Sequence, residues 1–278
     1  MEPSMLAAYE EAAVRAAREA GRLIREQYGR VGYETKSNPH DMVTAVDRAS
    51  EETIARILTD AFPGIPFLGE EGVAGRQGAA VPGDRPPESL PELWVVDPID
   101  GTMNFVYGVP FSSVSIALVR HGEPVVGVIY DPYRDEVFTA RKGEGAWLNG
   151  KPIRVRPAPS LADALVATGF PVDDAARRPL LAGVHALAAQ TRNLRSMGSA
   201  ALHMAYVACG RLNLFYELFL NPWDIAAGAL MVREAGGMVT DTLGRPYTLA
   251  TRHPVASCGD PVHTEAIRVI RDAGGTGF

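Results

Sequence analysis

The sequence predicts a mixed α and β protein, with an antiparallel sheet in its first half and an α/β second half. Apolar, β-branched segments at 112–119, 125–132 and 136–140 are separated by short turns, which is typical of an antiparallel meander. Beyond residue 157 strand-like and helix-like segments alternate. We therefore divide the 278-residue chain into an N-terminal α+β half, residues 1–157, and a C-terminal α/β half, residues 158–278.

The composition excludes several classes of protein. Hydrophobic residues make up 46% of the chain, and 27 basic against 33 acidic residues give a formal charge of −6. No basic block could follow a nucleic-acid backbone, and no apolar run reaches the roughly 20 residues that span a bilayer. The first residues are acidic where a signal peptide is basic. We expect a cytoplasmic protein that binds neither nucleic acid nor membranes, in which Cys209 and Cys258 are buried free thiols.

Two amphipathic helices are predicted in the first half. Apolar residues recur at helical spacing over 5–28, and again after Asp47, which stands where the second helix begins. An aspartate in this place is commonly the N-cap. A short strand then presents Glu70 and Glu71, and because neighbouring side chains of an extended chain point to opposite sides, one of the two should reach a site there. The Gly- and Pro-rich segment 73–91 is predicted to be a surface loop of a length common in lids.

The central stretch, residues 93–110, reads LWVVDPIDGTMNFVYGVP. Its apolar beginning predicts a buried strand that ends at Asp97, because the following proline cannot donate to a sheet ladder. Asp100 and Gly101 then form a turn, so that two carboxylates lie near one point, beside the N–H groups of Gly101 and Thr102. Asp-Pro and Asp-Gly are ordinary turn dipeptides. The same arrangement also provides a metal site next to an anion site.

In the second half, a helix is predicted at about 178–190 and another begins at Gly198-Ser199-Ala200. These three small residues are typical of a capped helix start, and they are also a natural contact for an anion or a hydroxyl group. Glu217 lies on a predicted strand, seven residues before Asp224. Asp224 stands near the start of the next helix, which two glycines end.

Three segments, in order along the chain, resemble signatures of the inositol monophosphatase family of magnesium-dependent, lithium-sensitive phosphatases. The sequence D-P-I-D-G-T-x-N-F at 97–105 is similar to the central signature of that family. Gly69-Glu70-Glu71-Gly72 resembles its metal-binding glutamate segment, and WDIAAGALMVREAGG at 223–237 resembles its C-terminal motif. The resemblance implies a layered αβαβα sandwich, a homodimer, and hydrolysis of a small phosphate monoester.

The resemblance also implies roles for individual residues. The implied metal ligands are Glu70, Asp97, the Ile99 carbonyl, Asp100 and Asp224, with Asp97 bridging two ions. The implied catalytic groups, which orient the attacking water, are Glu70, Thr102 and Asp47. The implied substrate contacts are Asp100, Gly101, Thr102, Gly198, Ser199, Ala200, Glu217 and Asp224. Lys36 is expected close to the metal cluster, and Glu71 is expected either close to that cluster or as a solvated acid.

Four carboxylates from separated segments would repel one another strongly without cations. Oxygen ligands without histidine or cysteine favour Mg²⁺ over Zn²⁺, and we expect two or three Mg²⁺ ions per site. Inositol monophosphate is the expected substrate. Fructose 1,6-bisphosphate, histidinol phosphate and adenosine 3′,5′-bisphosphate remain alternatives, which residues 73–91, 170–178 and 217–222 would distinguish. A catalytically silent binding or regulatory protein is the alternative of another class, although every matched metal ligand is present.

Overall fold

The computed structural model describes residues 3–35, 42–72, 86–171 and 174–278. Lys36 and residues 73–85 of the expected lid lie outside the described residues. The helices are α1 (Pro3–Gln27), α2 (Ala45–Ala61), α3 (Thr102–Tyr107), α4 (Asp174–Gln190), α5 (Ala200–Ala208), α6 (Pro222–Glu234) and α7 (Val262–Asp272).

The strands of the first half form a two-stranded and a seven-stranded sheet. The small sheet pairs β1 (Glu34–Thr35) with β2 (Met42–Val43). The large sheet runs in the order β3 (Phe67–Gly69), β4 (Glu92–Asp100), β5 (Ser113–Arg120), β6 (Glu123–Asp131), β7 (Glu136–Arg141), β8 (Gly145–Leu148) and β9 (Lys151–Pro152). Its strands from β4 onward are antiparallel, which confirms the predicted meander.

The second half contains a mixed five-stranded sheet. Its strands are β10 (Leu165–Ala167), β11 (Asn193–Arg195), β12 (Leu214–Tyr216), β13 (Met238–Asp241) and β14 (Pro254–Ser257), and their order in the sheet is β11-β10-β12-β14-β13. The pairs of β10 with β11 and β12 are parallel, whereas those of β14 are antiparallel. Two consecutive strands that pair in parallel need a crossover connection between them. Helix α4 connects β10 to β11, and α5 connects β11 to β12.

Five layers follow from the packing of helices on these sheets. Helices α1 and α2 cover one face of the seven-stranded sheet, and α5 and α6 lie between the two large sheets. Helices α4 and α7 cover the far face of the five-stranded sheet. The middle core joins Leu93 and Phe138 of the first sheet to Leu230 of α6 and Phe215 of the second. The order αβαβα is therefore confirmed, while a domain boundary at residue 157 stays a prediction.

Three local predictions were wrong. Strand β4 does not end at Asp97, because pairing with β5 resumes at Asp100 after an irregularity that accommodates the proline. Asp47 is not the N-cap of α2, since Thr44 caps this helix and Asp47 occupies its third position in a capping box. Cys258 is a buried free thiol as expected, but Cys209 is partly exposed.

Candidate metal centre

Three carboxylates from distant parts of the chain converge where β4 meets α6. Ligand oxygens of Asp97, Asp100 and Asp224 lie within 4.8 Å of one another. Asp97 and Asp100 are buried, at 2% and 7% exposure, and Asp224 is partly buried. Asp97 and Asp100 stand on either side of the irregularity in β4, so both side chains reach the same end of the sheet. The Ile99 N–H donates to Asp97 Oδ1 at 3.0 Å, which fixes the bulged backbone.

Asp224 joins this pair because the start of α6 is attached to the neighbouring strand. The hydroxyl of Ser115, which pairs with Asp97 across the sheet, donates to the Trp223 carbonyl oxygen at 3.0 Å. The Asn221 N–H donates to Asp224 Oδ2 at 2.7 Å, so Asp224 stabilises the first turn of α6 as well as facing the other carboxylates. A proline at the first helical position completes this start.

Asp100 is held by the N-terminus of α5. The Ala201 and Ala200 N–H groups donate to its two carboxylate oxygens at 2.8 and 3.2 Å, and the Ser199 hydroxyl also donates to it. These N–H groups have no partner within their helix, and the helix dipole favours an anion here. Two residues of the segment expected to contact substrate, Ser199 and Ala200, therefore bind Asp100. The Ser199 side chain also caps α5 by accepting from the Leu202 N–H at 3.3 Å.

Burial and mutual repulsion make the three carboxylates costly to ionise. Burial, followed by repulsion from Glu70 and the other two aspartates, raises the pKa of Asp97 well above its ordinary value. Burial, followed by repulsion from Asp100 and Glu70, raises the pKa of Asp224 to about 8, and its hydrogen bonds with the Asn221 N–H and with Asp97 oppose this rise. Burial raises the pKa of Asp100 to about 6, and the hydrogen bonds from Ser199 and α5 oppose this rise. A cluster of oxygen ligands fits a hard divalent cation. The positive charge of that cation would stabilise the ionised form of the three carboxylates, which the protein alone disfavours.

Glu70 lies beside this cluster at the end of β3. Its N–H donates to the Val96 carbonyl oxygen at 3.2 Å, immediately before Asp97. Glu70 lines a cavity of about 510 Å³ together with Gly101 and Thr102. Glu71 is not among the residues that line it, and its N–H is turned instead toward the buried Glu51 carboxylate, 2.7 Å away.

Thr102 connects the cavity to α2. Its hydroxyl lies 3.1 Å from Asp47 Oδ1 and 3.0 Å from the Ile99 carbonyl oxygen, both of which are acceptors. Asp47 is fully buried, and its second oxygen accepts the Thr44 N–H at 2.8 Å. Burial raises the pKa of Asp47, whereas its hydrogen bonds with Thr44 oppose the rise.

Glu217 reaches the cluster from the second sheet. It directly follows β12, is 6% exposed, and its pKa is raised well above the ordinary value by burial and then by repulsion from Asp224 and Asp100. A Cβ atom on Gly169 would lie 2.3 Å from its carboxylate, so the residue after Thr168 must be glycine to leave room for this side chain.

Sequence reasoning missed the side chain that holds the two halves of the site together. Asn104 Nδ2 donates to the carbonyl oxygens of Phe111 at 2.7 Å and Met197 at 2.6 Å. Asn104 stands within the signature at 97–105, but its partner Met197, in the second half, lies 93 residues further along the chain. Gly101 and Gly198 meet in the same place, since a Cβ on Gly101 would lie 2.7 Å from the Gly198 carbonyl oxygen. Both glycines have φ near +90°, which other residues adopt at a cost.

A five-layer αβαβα fold with an acidic cluster that could hold a metal ion is the arrangement expected of a metal-dependent phosphatase. The model of the inositol monophosphatase family matches residues 5–274, and the chain belongs to this family. It is a phosphoric monoester hydrolase of a family whose members depend on metal ions and act on small phosphorylated substrates.

Its relatives carry more than one name. Inositol monophosphatase 2 of Solanum lycopersicum is 44% identical over 89% of this chain and 92% of the relative. The fructose-1,6-bisphosphatase/inositol-1-monophosphatase of Thermotoga maritima is 38% identical over 92% of this chain and 93% of the relative. The crystal structure of the extragenic suppressor protein SuhB from Bartonella henselae superimposes with a TM-score of 0.84 and 37% identity, covering 94% of this chain and 97% of that one.

Among the described residues, no helix is long and apolar enough to cross a membrane.

Proposed function

We propose that the protein is a Mg²⁺-dependent phosphatase that hydrolyses inositol monophosphate. The observation that carries this proposal is the cluster of Asp97, Asp100 and Asp224, two of them buried and the third partly buried, which lies beside the turn at Gly101 and Thr102. We further propose that it acts in the cytoplasm as a homodimer, as is expected of its family.

The proposed metal ligands are Glu70, Asp97, the Ile99 carbonyl, Asp100 and Asp224, which would hold two or three Mg²⁺ ions. Their oxygen atoms suit Mg²⁺, and among the described residues the cluster contains neither histidine nor cysteine. Bound Mg²⁺ would offset the carboxylate charges, favour ionisation of a water molecule and stabilise negative charge on the leaving oxygen.

The protein groups would bind the phosphate and orient the attacking water. The N–H groups that begin α3 have no partners within that helix, so those of Gly101 and Thr102 can donate to phosphate oxygens. The single hydroxyl proton of Thr102 is shared between Asp47 and the Ile99 carbonyl, which leaves a lone pair of the Thr102 oxygen to accept a hydrogen bond from water. Glu70, in the same cavity, can accept a hydrogen bond from the other O–H of this water and act as the general base, so that a lone pair of the water faces phosphorus.

The alcohol part of the substrate would contact Glu217 and the start of α5. Glu217 lies near Asp224 and Asp100, whose charges affect its pKa, but it comes from the second sheet rather than from a metal motif. A buried carboxyl group that accepts a hydrogen bond from a substrate hydroxyl discriminates between alcohols, because an alcohol without that hydroxyl leaves the carboxyl group unpaired.

Arg177 favours a second candidate substrate, fructose 1,6-bisphosphate. Arg177 lines the same cavity as Glu70, Gly101 and Thr102, together with Phe170. Its Nε donates to the Pro171 carbonyl oxygen at 3.0 Å, which holds the side chain at the rim of the cavity. A guanidinium group there could bind a second phosphate of a substrate whose first phosphate lies at Thr102.

The test is a set of four phosphate esters, assayed with Mg²⁺ and with a chelator. Inositol monophosphate, fructose 1,6-bisphosphate, histidinol phosphate and adenosine 3′,5′-bisphosphate are compared by kcat/KM. We expect the highest value for inositol monophosphate and no turnover in the chelator. A preference for fructose 1,6-bisphosphate that is lost in Arg177→Ala would establish this ester as the substrate. Absence of turnover with all four esters, while Mg²⁺ still raises Tm, would indicate a silent binding protein.

A further inference from the structure

A second buried acid on α2 lies one helical turn after Asp47. Residues four apart share a face of a helix, so Glu51 lies on the same side of α2 as Asp47. Both are fully buried. Asp47 contacts Thr102, whereas Glu51 is not among the groups proposed to bind metal, water or substrate. Acidic side chains are almost never fully buried without polar partners, which makes the surroundings of Glu51 informative.

The Glu51 carboxylate contacts the backbone on both sides of Glu70. The Glu71 N–H donates to Glu51 Oε2 at 2.7 Å. On the other side, a Cβ on Gly69 would lie 2.4 Å from the Cδ and Oε2 atoms of Glu51, so glycine is required for the carboxylate to fit there. The N–H of Glu70 itself is bound to the Val96 carbonyl oxygen. The backbone around Glu70 is therefore fixed from α2 and from β4 together.

We propose that Glu51 is a positioning residue for the metal ligand Glu70. Its carboxylate holds the turn from Gly69 to Glu71 in the conformation that places Glu70 in the cavity with Thr102. Helix α2 thereby sets two groups of the site from one face, the hydroxyl of Thr102 through Asp47 and the carboxylate of Glu70 through Glu51. This inference rests on the proposed function, because it assumes that Glu70 binds Mg²⁺.

Two independent substitutions test this role. Glu51→Met removes the acceptor while keeping a long side chain. Gly69→Ala keeps residue 51 as glutamate but adds a methyl group that would displace its carboxylate. Glu51→Gln keeps one acceptor oxygen and is the conservative variant. Glu52→Gln, on the exposed side of the same helix, is the matched control. The measurements on each protein are hydrogen exchange of the Glu71 amide, the Mg²⁺-dependent rise in Tm, and the Mg²⁺ concentration that gives half-maximal turnover.

We expect Glu51→Met and Gly69→Ala to exchange the Glu71 amide faster and to need about tenfold more Mg²⁺, as is typical when a group that orients a metal ligand is removed. At saturating Mg²⁺ their kcat should return to within about threefold of the parent, since the ligands themselves are intact. Glu51→Gln should lie between these variants and the parent, and Glu52→Gln should match the parent.

An unchanged response to Mg²⁺ in a folded Glu51→Met protein would overturn the inference, even if its Tm fell, because Glu51 would then be a structural residue. If Glu51→Met does not fold, Gly69→Ala decides in the same way. A different result separates the two proposals. A parent protein that shows neither turnover nor a rise in Tm with Mg²⁺ would refute the proposed function, and the positioning role would be lost with it.

Discussion

Replacing Asp224 by asparagine separates its structural role from its proposed role as a metal ligand. In the structure Asp224 accepts the Asn221 N–H at 2.7 Å, and an asparagine side-chain oxygen can accept the same bond. The start of α6 should therefore survive the substitution. The negative charge is lost, however, and with it a ligand for the cation. We expect Asp224→Asn to be folded and to lose at least about two orders of magnitude in turnover.

The magnitude of the stability effect follows from the raised pKa. Burial and repulsion raise the pKa of Asp224 from 3.8 to about 8. Between these two pH values, and without metal, Asp224 is protonated in the folded protein and ionised in the unfolded chain. Stability contributed by this group is therefore fully present below about pH 4 and is lost as the pH rises toward about 8. In this range asparagine should increase the free energy of unfolding by up to about 4 kcal/mol at pH 7, and by up to about 2 kcal/mol at pH 5.

The assay is urea unfolding of chelator-treated protein at pH 5 and pH 7, with Tm measured at several Mg²⁺ concentrations. The parent should be more stable at pH 5 than at pH 7, and Asp224→Asn should reduce this difference. Mg²⁺ should raise the Tm of the variant less than that of the parent. Asp60→Asn, an exposed acid on α2, is the control for a general loss of charge. If Asp224→Asn were destabilised at pH 7, or kept both turnover and the parent's response to Mg²⁺, the reasoning would be refuted.

The remaining predictions concern the other groups of the site. Glu217→Gln should change the ratio of kcat/KM between inositol monophosphate and a small unnatural ester by about tenfold or more; equal loss against every ester would contradict its role toward the alcohol. Exhaustive dialysis against a chelator should abolish turnover, Mg²⁺ should restore it, and we expect Li⁺ to inhibit it; full activity without metal would exclude the proposed mechanism. Asp47→Asn should lower turnover by roughly 10- to 100-fold with little change in Tm, because Thr102 loses a charged partner but α2 keeps a capping group. A fall in Tm without a fall in turnover would show that Asp47 only stabilises the helix.

The layered fold could be predicted because periodicity and turns are local properties. The meander and α1 were visible in the sequence, and the structure contains both. The end of β4 was misplaced since a proline predicts a break in the ladder, and the sequence does not show that a bulge lets pairing resume at Asp100. The N-cap of α2 was misplaced because Thr44 and Asp47 are both good capping residues, and their reciprocal bonds decide which one caps.

The contacts that assemble the site were harder to predict, since they join segments distant in sequence. Asp100 is bound by N–H groups about a hundred residues further on, at Ala200 and Ala201, and nothing near Asp100 indicates this. Glu51 looks like any polar residue of an amphipathic helix until the backbone at Glu71 is placed beside it. The residue types of these contacts are ordinary, and their function comes from the fold.

The contact between Gly101 and Gly198 limits how this enzyme could be adapted to a new substrate. With Asn104 bound to the Phe111 and Met197 carbonyls, the turn expected to bind phosphate and the start of α5 form one rigid block. A larger residue at Gly101 would press on the Gly198 carbonyl oxygen, and one at Gly198 would press on the Asn104 amide, so a change in one turn disturbs the other. A designer should therefore leave this block alone and vary the rim, where Phe170 is half exposed and Arg177 borders the same cavity.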